Sequence, residues 1–455
     1  MNLHVVILAA GRGTRMKSAL PKVLHQIAGR PMLAHVIDTA RKLAPQALHI
    51  VHGHGTSELL AAFAGQELNW VHQEDQRGTG HAVAQALPLI PDAARVLILY
   101  GDVPCVREQT LATLLRAQET TDLAVLTTRL VDPQGYGRIV RGPQGFVDAI
   151  REERDASEVE RSIDEVNTGL MVAQAGALRR WLGQIQPHNA QGELYLTDIV
   201  SLAAQEGVGV VAVPVADETE VRGVNDRLQL AGMERIWQTR EAERLMRAGV
   251  TLADPARIDV RGDLHCETDV FIDVGCVFEG TVRLAQGVRV GPYCILRDCH
   301  VETGTEILSH CVLEGARIGE GARVGPYARL RPGSELGDAT HIGNFVEVKK
   351  ATLGEGTKVN HLSYVGDAEI GRGVNIGAGT ITCNYDGANK HLTRIGDDVF
   401  VGSDTQLIAP VSIGNGATIG AGSTITRDVP EGALALSRVP QRLREDWVRP
   451  RKKDK

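Results

Sequence analysis

Two groups of residues in this chain have the types and spacing for chemistry. The first is Leu8-Ala9-Ala10-Gly11-Arg12-Gly13-Thr14-Arg15-Met16, with Pro21-Lys22 just beyond it. Glycines let a backbone come close to a polyphosphate, amide N–H groups point at its oxygens, and Arg15 and Lys22 add positive charge. The run is neither a P-loop, for it lacks the GK[ST] ending, nor a dinucleotide fingerprint, for it lacks the third glycine. Tyr100-Gly101-Asp102 closes an apolar run, where an acid is placed to offer a hard oxygen to nucleotide-bound Mg2+. The plainer use of the same acid is as a helix N-cap. Gln73 and the Gly78-Thr79-Gly80 turn follow another apolar run, where an amide side chain and a backbone N–H can pair with a base edge; taken alone, Gln73 reads as an ordinary edge residue.

The second group lies in the other half of the chain. It comprises Arg329-Leu330-Arg331-Pro332, Glu347-Val348-Lys349-Lys350, Asn360-His361-Leu362-Ser363-Tyr364, Asn375-Ile376-Gly377-Ala378 and Asn384-Tyr385. A structural spacer has no need of so many polar side chains. A histidine near the unperturbed pKa of about 6.5 is suited to take a proton from a reacting group. Alone, His361 reads more readily as a neutral packing or surface residue, for the chain has 15 histidines. Of seven cysteines none forms a CxxC pair, so neither a zinc site nor a disulfide framework is indicated. Cys383, beside Asn384, has no base next to it in sequence and is not read as a nucleophile.

The elements that must position these groups differ between the halves. Leu3–Ala9, Leu48–Gly53, Asn69–Gln73, Val96–Tyr100 and Leu123–Thr128 are apolar at many successive positions, as in strands buried on both faces of a mostly parallel sheet. Amphipathic stretches such as Pro31–Leu43 and Gly80–Leu87 lie between them. A doubly wound α/β domain follows, with ligands at the carboxyl ends of the strands. From Asn225 to Gly249 the pattern turns helical and charged, with Gly249 as C-cap, and is read as a linker helix.

Beyond it the chain repeats every six residues. Ile318, Val324, Leu330, Leu336, Ile342 and Val348 keep the spacing, and it returns at Ile395, Val401, Leu407, Ile413, Ile419 and Ile425. That period fits neither helix nor simple strand; it fits a coil with three flat faces, each taking one inward aliphatic residue per turn. Between Thr251 and Gly315 the pattern is ragged, though Ile258, Leu264, Val270, Cys276, Val282, Val288 and Cys294 hold it. One-residue slips occur from Val348 to Leu353 and from Val365 to Ile370, and the break between Ile376 and Ile395 must eject a loop over Thr382–Thr393.

A length of 455 residues suits two or three domains, and 43% hydrophobic with 23% charged residues is a globular composition. Aromatics at 4% suit stacked aliphatic ladders, and a net charge of −7 leaves no general footprint for nucleic acid. No apolar run reaches the roughly 18 residues of a membrane span. Met1-Asn2-Leu3-His4 lacks a basic n-region and reads as the start of a strand; the tail Arg449-Pro450-Arg451-Lys452-Lys453-Asp454-Lys455 reads as a solvated terminus. A cytoplasmic protein with reduced thiols is expected.

The loop Leu8–Met16 with Pro21-Lys22 resembles that of the sugar-nucleotide pyrophosphorylases. Joined to a hexapeptide coil, it resembles the family of bacterial bifunctional N-acetylglucosamine-1-phosphate uridylyltransferase/glucosamine-1-phosphate N-acetyltransferases, over all of the chain but its basic tail. The resemblance implies a Rossmann-like nucleotidyltransferase domain at 1–226, a linker helix at 227–250, a left-handed parallel β-helix acetyltransferase domain at 251–430 and a tail at 431–455, assembled as a homotrimer. Left-handedness departs from the usual crossover rule. Carried across residue by residue, it puts Leu8, Ala9, Ala10, Gly11 and Lys22 on UTP, with Arg15 near the phosphates. Gln73, Gly78 and Thr79 would read uracil. Tyr100, Gly101 and Asp102 would line the same pocket, and Asp102 with Asn225 would hold Mg2+. Asp226 carries more charge, but Asn225 holds the motif position. Gly137, Glu152 and Asn167, with Asn225, would grip the sugar phosphate.

In the coil the resemblance makes His361 the base that frees a glucosamine amine to attack the acetyl-CoA thioester. Arg331, Lys349, Tyr364, Asn375 and Lys390 would bind that sugar phosphate. Ala378, Asn384, Tyr385, Ser403, Ala421 and Arg438 would contact acetyl-CoA, and Arg438 would complete a site formed with a neighbouring chain. Two alternatives stay open on the residues alone: a single-activity nucleotidyltransferase with a structural or regulatory coil, and a non-catalytic scaffold.

Overall fold

The computed structural model describes residues 2–11, 13–53, 56–450 and 452. Arg12 of the glycine loop, and Arg451, Lys453, Asp454 and Lys455 of the tail, lie outside them. The chain divides into two compact units, Met1–Trp237 and Gln238–Lys455.

The described residues of the first unit hold a nine-stranded sheet. Its main path runs Val211–Pro214, Leu123–Arg129, Glu165–Gln174, Arg95–Tyr100, Leu3–Leu8, Ala47–His52, Asn69–His72. Leu3–Leu8 is buried at every position and pairs in parallel with both neighbours. Because side chains alternate across a strand, Val5 and Ile7 enter one core with Leu33 and Ile37 of the helix Met32–Lys42. Val6 and Leu8 enter the other, with Val83 of the helix Thr79–Ala86. Full burial of each such side chain contributes roughly 1.5–3 kcal/mol, so the first strand is clamped from both sides.

One strand departs from the expected parallel order. Glu165–Gln174 sits in mid-sheet, antiparallel to both Arg95–Tyr100 and Leu123–Arg129, with a bulge between Asn167 and Met171. A bulge re-aims side chains, and here it turns Asn167 and Gly169 towards the strand ends that carry Tyr100. A Cβ on Gly169, whose φ is +83°, would stand 2.7 Å from the Tyr100 ring, so only glycine fits. The helix Arg227–Arg247 spans the Trp237/Gln238 division and ends before Gly249, at φ +97°.

The second unit is a parallel β-helix. Ile272, Val290, Ile307, Val324, Ile342, Val359 and Ile376 pair in turn, each 17 or 18 residues after the last, which is three hexads per turn. The coil is formed between Thr251 and Gly315 too, after a longer first turn in which Leu252 pairs with Ile272; there the buried Cys276, Cys294, Cys299 and Cys311 stand among the inward aliphatics. Among the described residues 11 strands stack in one sheet and 15 in a second. The second bends round a corner: Cys276–Leu284 pairs with Ile295–Arg297 at one end and His300–Val301 at the other. Inside, a single stack of buried residues runs through to Val429. The excursion is shorter than expected. Thr382 and Cys383 belong to a strand, and the loop between Cys383 and Thr393 forms a small hairpin through a Tyr385–Lys390 bridge.

Candidate active sites

At the carboxyl ends of the parallel strands lies a pocket of about 410 Å3. Leu8, Ala9, Ala10, Gly11, Lys22, Gln73, Gly78, Thr79, Tyr100, Asp102 and Asn225 all line it. The loop is held from beneath: Ala9 N–H donates to the Val51 carbonyl at 2.8 Å, and Gln76 Nε2 donates to the Ala10 carbonyl at 2.6 Å. Gly101 supports the pocket without lining it. Its N–H donates to the Leu8 carbonyl at 3.0 Å, and a Cβ there would press Val23 and Leu33 at 3.1 and 3.2 Å.

The Lys22 ammonium is the electrostatic centre. It forms an ion pair with Asp102 Oδ2 and lies 3.1 Å from Asn225 Oδ1. Asn225 is carried there by the Val224 N–H, which donates to the Asp102 carbonyl at 2.9 Å. Asp102 and Asn225 therefore aim one oxygen each at a common cation, and these hard donors fit Mg2+, which takes most of its remaining ligands from water and phosphate. Among the described residues no cluster of three or more His, Cys, Asp or Glu could hold a metal unaided. Arg15 is exposed on the turn Thr14–Met16, does not line the pocket and makes no ion pair among the described residues.

Beside the pocket Gly137, Glu152 and Asn167, the residues expected to grip the sugar phosphate, lie near Tyr100. Asn167 N–H donates to the Gly137 carbonyl at 2.8 Å, and Asn167 Oδ1 accepts from Gly169 N–H at 3.0 Å. A Cβ on Gly137 would meet Ile150 at 2.9 Å and the Glu152 carboxylate at 3.4 Å, so the bare backbone leaves Glu152 room. Glu152 accepts from the Thr197 hydroxyl at 3.0 Å. Burial pushes its carboxyl above the usual range, and the Thr197 hydrogen bond restrains that rise. Burial, with the charges of Glu152 and Asp102, raises the Tyr100 phenol far up. Tyr100 stays a neutral hydroxyl there.

In the coil the groups are strung along one corner. His361 Nδ1 lies 2.9 Å from Asn344 Oδ1, one turn earlier in the same register. With the amide oxygen of Asn344 facing it, Nδ1 would carry the hydrogen and leave Nε2 its lone pair. Backbone bonds continue the line: Gly379 N–H to the His361 carbonyl at 3.4 Å, Asp404 N–H to that of Ala378 at 2.7 Å, and Gly422 N–H to that of Ser403 at 2.8 Å. Arg438 Nη1 ends it on the Ala421 carbonyl at 3.0 Å.

On the adjoining face Lys349 lies 3.8 Å from Asp367, and Asn384 Nδ2 donates to Asp367 and, at 3.4 Å, to the Tyr364 hydroxyl. Arg331 is held by Glu347 at 2.9 Å. In the hairpin the Lys390 ammonium sits 4.4 Å from the centre of the Tyr385 ring. Asn375 lies in the other sheet of the coil, paired with Lys358 and Phe400. Burial raises the Cys383 thiol, which agrees with an unreactive side chain. Sequence reasoning missed Gln76, His81, Thr197, Asn344 and Asp367: the first three reach their partners through tertiary contacts that no spacing marks, whereas Asn344 and Asp367 lie one coil turn of 17 or 18 residues from His361 and Lys349, a signal that could have found them.

A phosphate cradle at sheet ends and a histidine on the corner of a hexad coil define a two-domain transferase. Residues 5–166 match the MobA-like NTP transferase domain, and residues 315–350 and 392–427 match the bacterial transferase hexapeptide (six repeats). The coil is thus of the left-handed parallel β-helix class. "Bifunctional protein GlmU" of Marinobacter nauticus is 56% identical over 99% of this chain and 99% of its own length. Its namesake in Bordetella petrii is 58% identical over 99% and 100%, and that of Cupriavidus pinatubonensis 55% over 100% of each. The chain belongs to the bifunctional GlmU family. It is an enzyme with a nucleotidyltransferase and an acyltransferase domain.

Proposed function

We propose that the chain acetylates glucosamine-1-phosphate from acetyl-CoA in the coil and then uridylylates N-acetylglucosamine-1-phosphate from UTP in the α/β unit. UDP-N-acetylglucosamine and pyrophosphate are the products. The domains run 1–226 and 251–430, with 227–250 between them. The observation that carries the reading is that one chain holds two separate sets of groups. One is the Lys22–Asp102–Asn225 centre beside a nucleotide-sized pocket; the other is the braced His361 on a line of bare backbone.

In the first unit a sugar-phosphate oxygen attacks the α-phosphorus in line, and the bond to pyrophosphate breaks. The protein aligns two anions and offsets their repulsion. Lys22 and Arg15 supply positive charge, and the backbone of Leu8–Gly11 cradles phosphate. Glu152, Asn167 and the Gly137 backbone fix the sugar. Asp102 and Asn225 would hold Mg2+, which supplies charge neutralisation on the phosphates.

In the coil the glucosamine amine attacks the thioester carbonyl, its proton passes to His361 Nε2, and the CoA thiolate leaves. Arg331, Lys349, Tyr364, Asn375 and Lys390 hold the sugar phosphate; Ala378, Asn384, Tyr385, Ser403, Ala421 and Arg438 line the path of CoA. Arg331 and Lys349 already face Glu347 and Asp367, so anion binding exchanges partners for them and creates no new charge contact from nothing. A homotrimer is supported by exposed Ile295, Val312, Tyr327, Phe345, Leu362 and Ile381 along one edge of the coil. A cytoplasmic setting is supported by the free cysteines; among the described residues no helix is long and apolar enough to cross a membrane.

The test is the pure chain with glucosamine-1-phosphate, acetyl-CoA, UTP and Mg2+. Free CoA thiol should appear, then pyrophosphate and UDP-N-acetylglucosamine. Pyrophosphate from N-acetylglucosamine-1-phosphate with no thiol release would leave only the single-activity nucleotidyltransferase.

A further inference from the structure

Gln73 is buried, at 3% exposure, on the wall of the nucleotide pocket, and its carboxamide is held on two sides. Nε2 lies 3.2 Å from the Gly78 carbonyl and 3.0 Å from His81 Nδ1. A carbonyl oxygen only accepts, so the Gln73 atom facing Gly78 is the NH2 group, whichever way the amide is drawn. That carbonyl cannot swing away. Gly78 has φ +113°, a Cβ there would strike Leu194 backbone at 2.6 Å, and the oxygen also accepts from Ala82 N–H at 3.1 Å. The same NH2 faces His81 Nδ1, which must then be the unprotonated nitrogen. His81 Nε2 carries the hydrogen and faces the Gln85 carboxamide at 3.1 Å. The atom drawn there is Gln85 Nε2; turned over, this half-buried carboxamide presents its oxygen to that N–H and gives up only a 3.4 Å bond to the His81 carbonyl.

We propose that His81 is a positioning residue for base selection. With the Gly78 carbonyl it consumes both amide hydrogens of Gln73, so that Gln73 has only the acceptor Oε1 left to offer the pocket. An acceptor pairs with a ring N–H, which uracil and thymine offer. It faces a bare ring nitrogen in cytosine, and two lone pairs opposed across a buried contact are costly. The arrangement selects UTP over CTP and is indifferent to thymine. The inference rests on the proposed reading of Gln73 as the base reader.

The test compares kcat/KM for UTP and CTP by pyrophosphate release with N-acetylglucosamine-1-phosphate. His81→Phe should lower the UTP:CTP ratio about tenfold, with more of the loss in KM for UTP than in kcat. His81→Asn, which can set an amide oxygen near the place of Nδ1, should keep the ratio within about threefold of the parent. Gln73→Leu should lower it at least as far as His81→Phe. A ratio that falls with Gln73→Leu but stays put with His81→Phe overturns the role of His81 and leaves Gln73 as the base reader. A ratio unmoved by either overturns base reading by Gln73 itself. Neutron diffraction from the unaltered protein is independent of any variant's folding: deuterium on His81 Nε2 is expected, and deuterium on Nδ1 overturns the proposal.

Discussion

The two sites are built on opposite plans. In the α/β unit, chain segments far apart in sequence end at one place, and their side chains close round a pocket of about 410 Å3. In the coil each turn adds one residue to a corner, so Asn344, His361, Ala378, Ser403 and Ala421 form a line, with one side open. Parallel strands joined by crossovers bring several strand ends together, and loops from each can converge on a ligand. A stack of turns spaced about 4.8 Å apart can only offer a ladder. The sheet site is therefore complete within its own unit, whereas the ladder needs a second surface to enclose a substrate, which the proposed trimer would supply.

If the plans are independent, each should fail alone. Asp102→Ala removes the anionic oxygen that faces Lys22, and uridylyl transfer should fall about 10³-fold. Acetyl transfer should stay within about twofold, since the altered site lies outside the coil. His361→Ala should do the reverse, lowering acetyl transfer about 10²- to 10⁴-fold with pyrophosphate release intact. Parallel assays of thiol and pyrophosphate release decide it. Loss of both activities from either substitution would break the comparison.

Stability should divide along the same line. Ile419 is fully buried in the coil stack, where Ile419→Asp sets a carboxylate with no partner and should cost on the order of 4 kcal/mol. Far-UV circular dichroism should show the coil melting early. Fluorescence should change much less at that step, because Trp70, Trp181 and Trp237 lie in the first unit and report its separate transition, while Trp447, in the second, is already exposed in the fold. Unchanged melting of the coil would mean that Ile419 does not face inward.

Acid should act in the other direction. Among the described residues the first unit buries His4, His25, His35, His49 and His52, and burial is the leading cause lowering each. The coil has His341 alone in that condition, half-buried. His49 is lowered to about 4, by burial and then by the His4 ring, whose Nδ1 lies 3.0 Å from His49 Nε2. A histidine with a depressed folded pKa stays neutral in the fold while the unfolded chain takes up a proton. Stability is therefore full above about pH 6.5 and is lost as pH falls towards 4, by about 3 kcal/mol for His49 alone. Glu152 and Asp198, both raised, oppose this, for their cost is relieved as they protonate. Urea unfolding followed by tryptophan fluorescence should show the loss between pH 6.5 and 4.5. The double variant His4→Leu with His49→Leu should flatten it; an equal slope in the variant would refute the assignment.

The same contrast explains what could be read from the residues alone. Strands buried on both faces announce themselves as apolar runs, so Leu3–Leu8, Asn69–His72 and Arg95–Tyr100 lie within a residue of the expected bounds. The hexads were plain because each turn of the coil repeats the same demand. Glu165–Gln174 was not legible as an antiparallel insertion, for its bulge breaks the alternation and its neighbours are chosen by the tertiary fold. The bracing residues were equally hidden. Gln76 reaches Ala10, Thr197 reaches Glu152 and His81 reaches Gln73 from loops and helix starts whose composition carries no mark. A ligand-facing loop has a spacing rule, but the residue that props it has only a contact.

The smallest expected effect tests how such a prop works on a ladder. A turn of the coil braces only the next, so His361 depends for its tautomer on the single oxygen of Asn344, 2.9 Å away. Asn344→Leu removes that acceptor but leaves His361 and the backbone line in place. Without it the ring samples the tautomer with hydrogen on Nε2, which cannot take a proton from the amine. Acetyl transfer should then fall about tenfold in kcat, as props of this kind usually give, with KM for both substrates little changed. Asn344→Asp keeps an acceptor and should recover most of the rate. A fall in KM terms alone would make Asn344 a substrate contact, and an unaltered kcat would show that the ring orients itself without a brace.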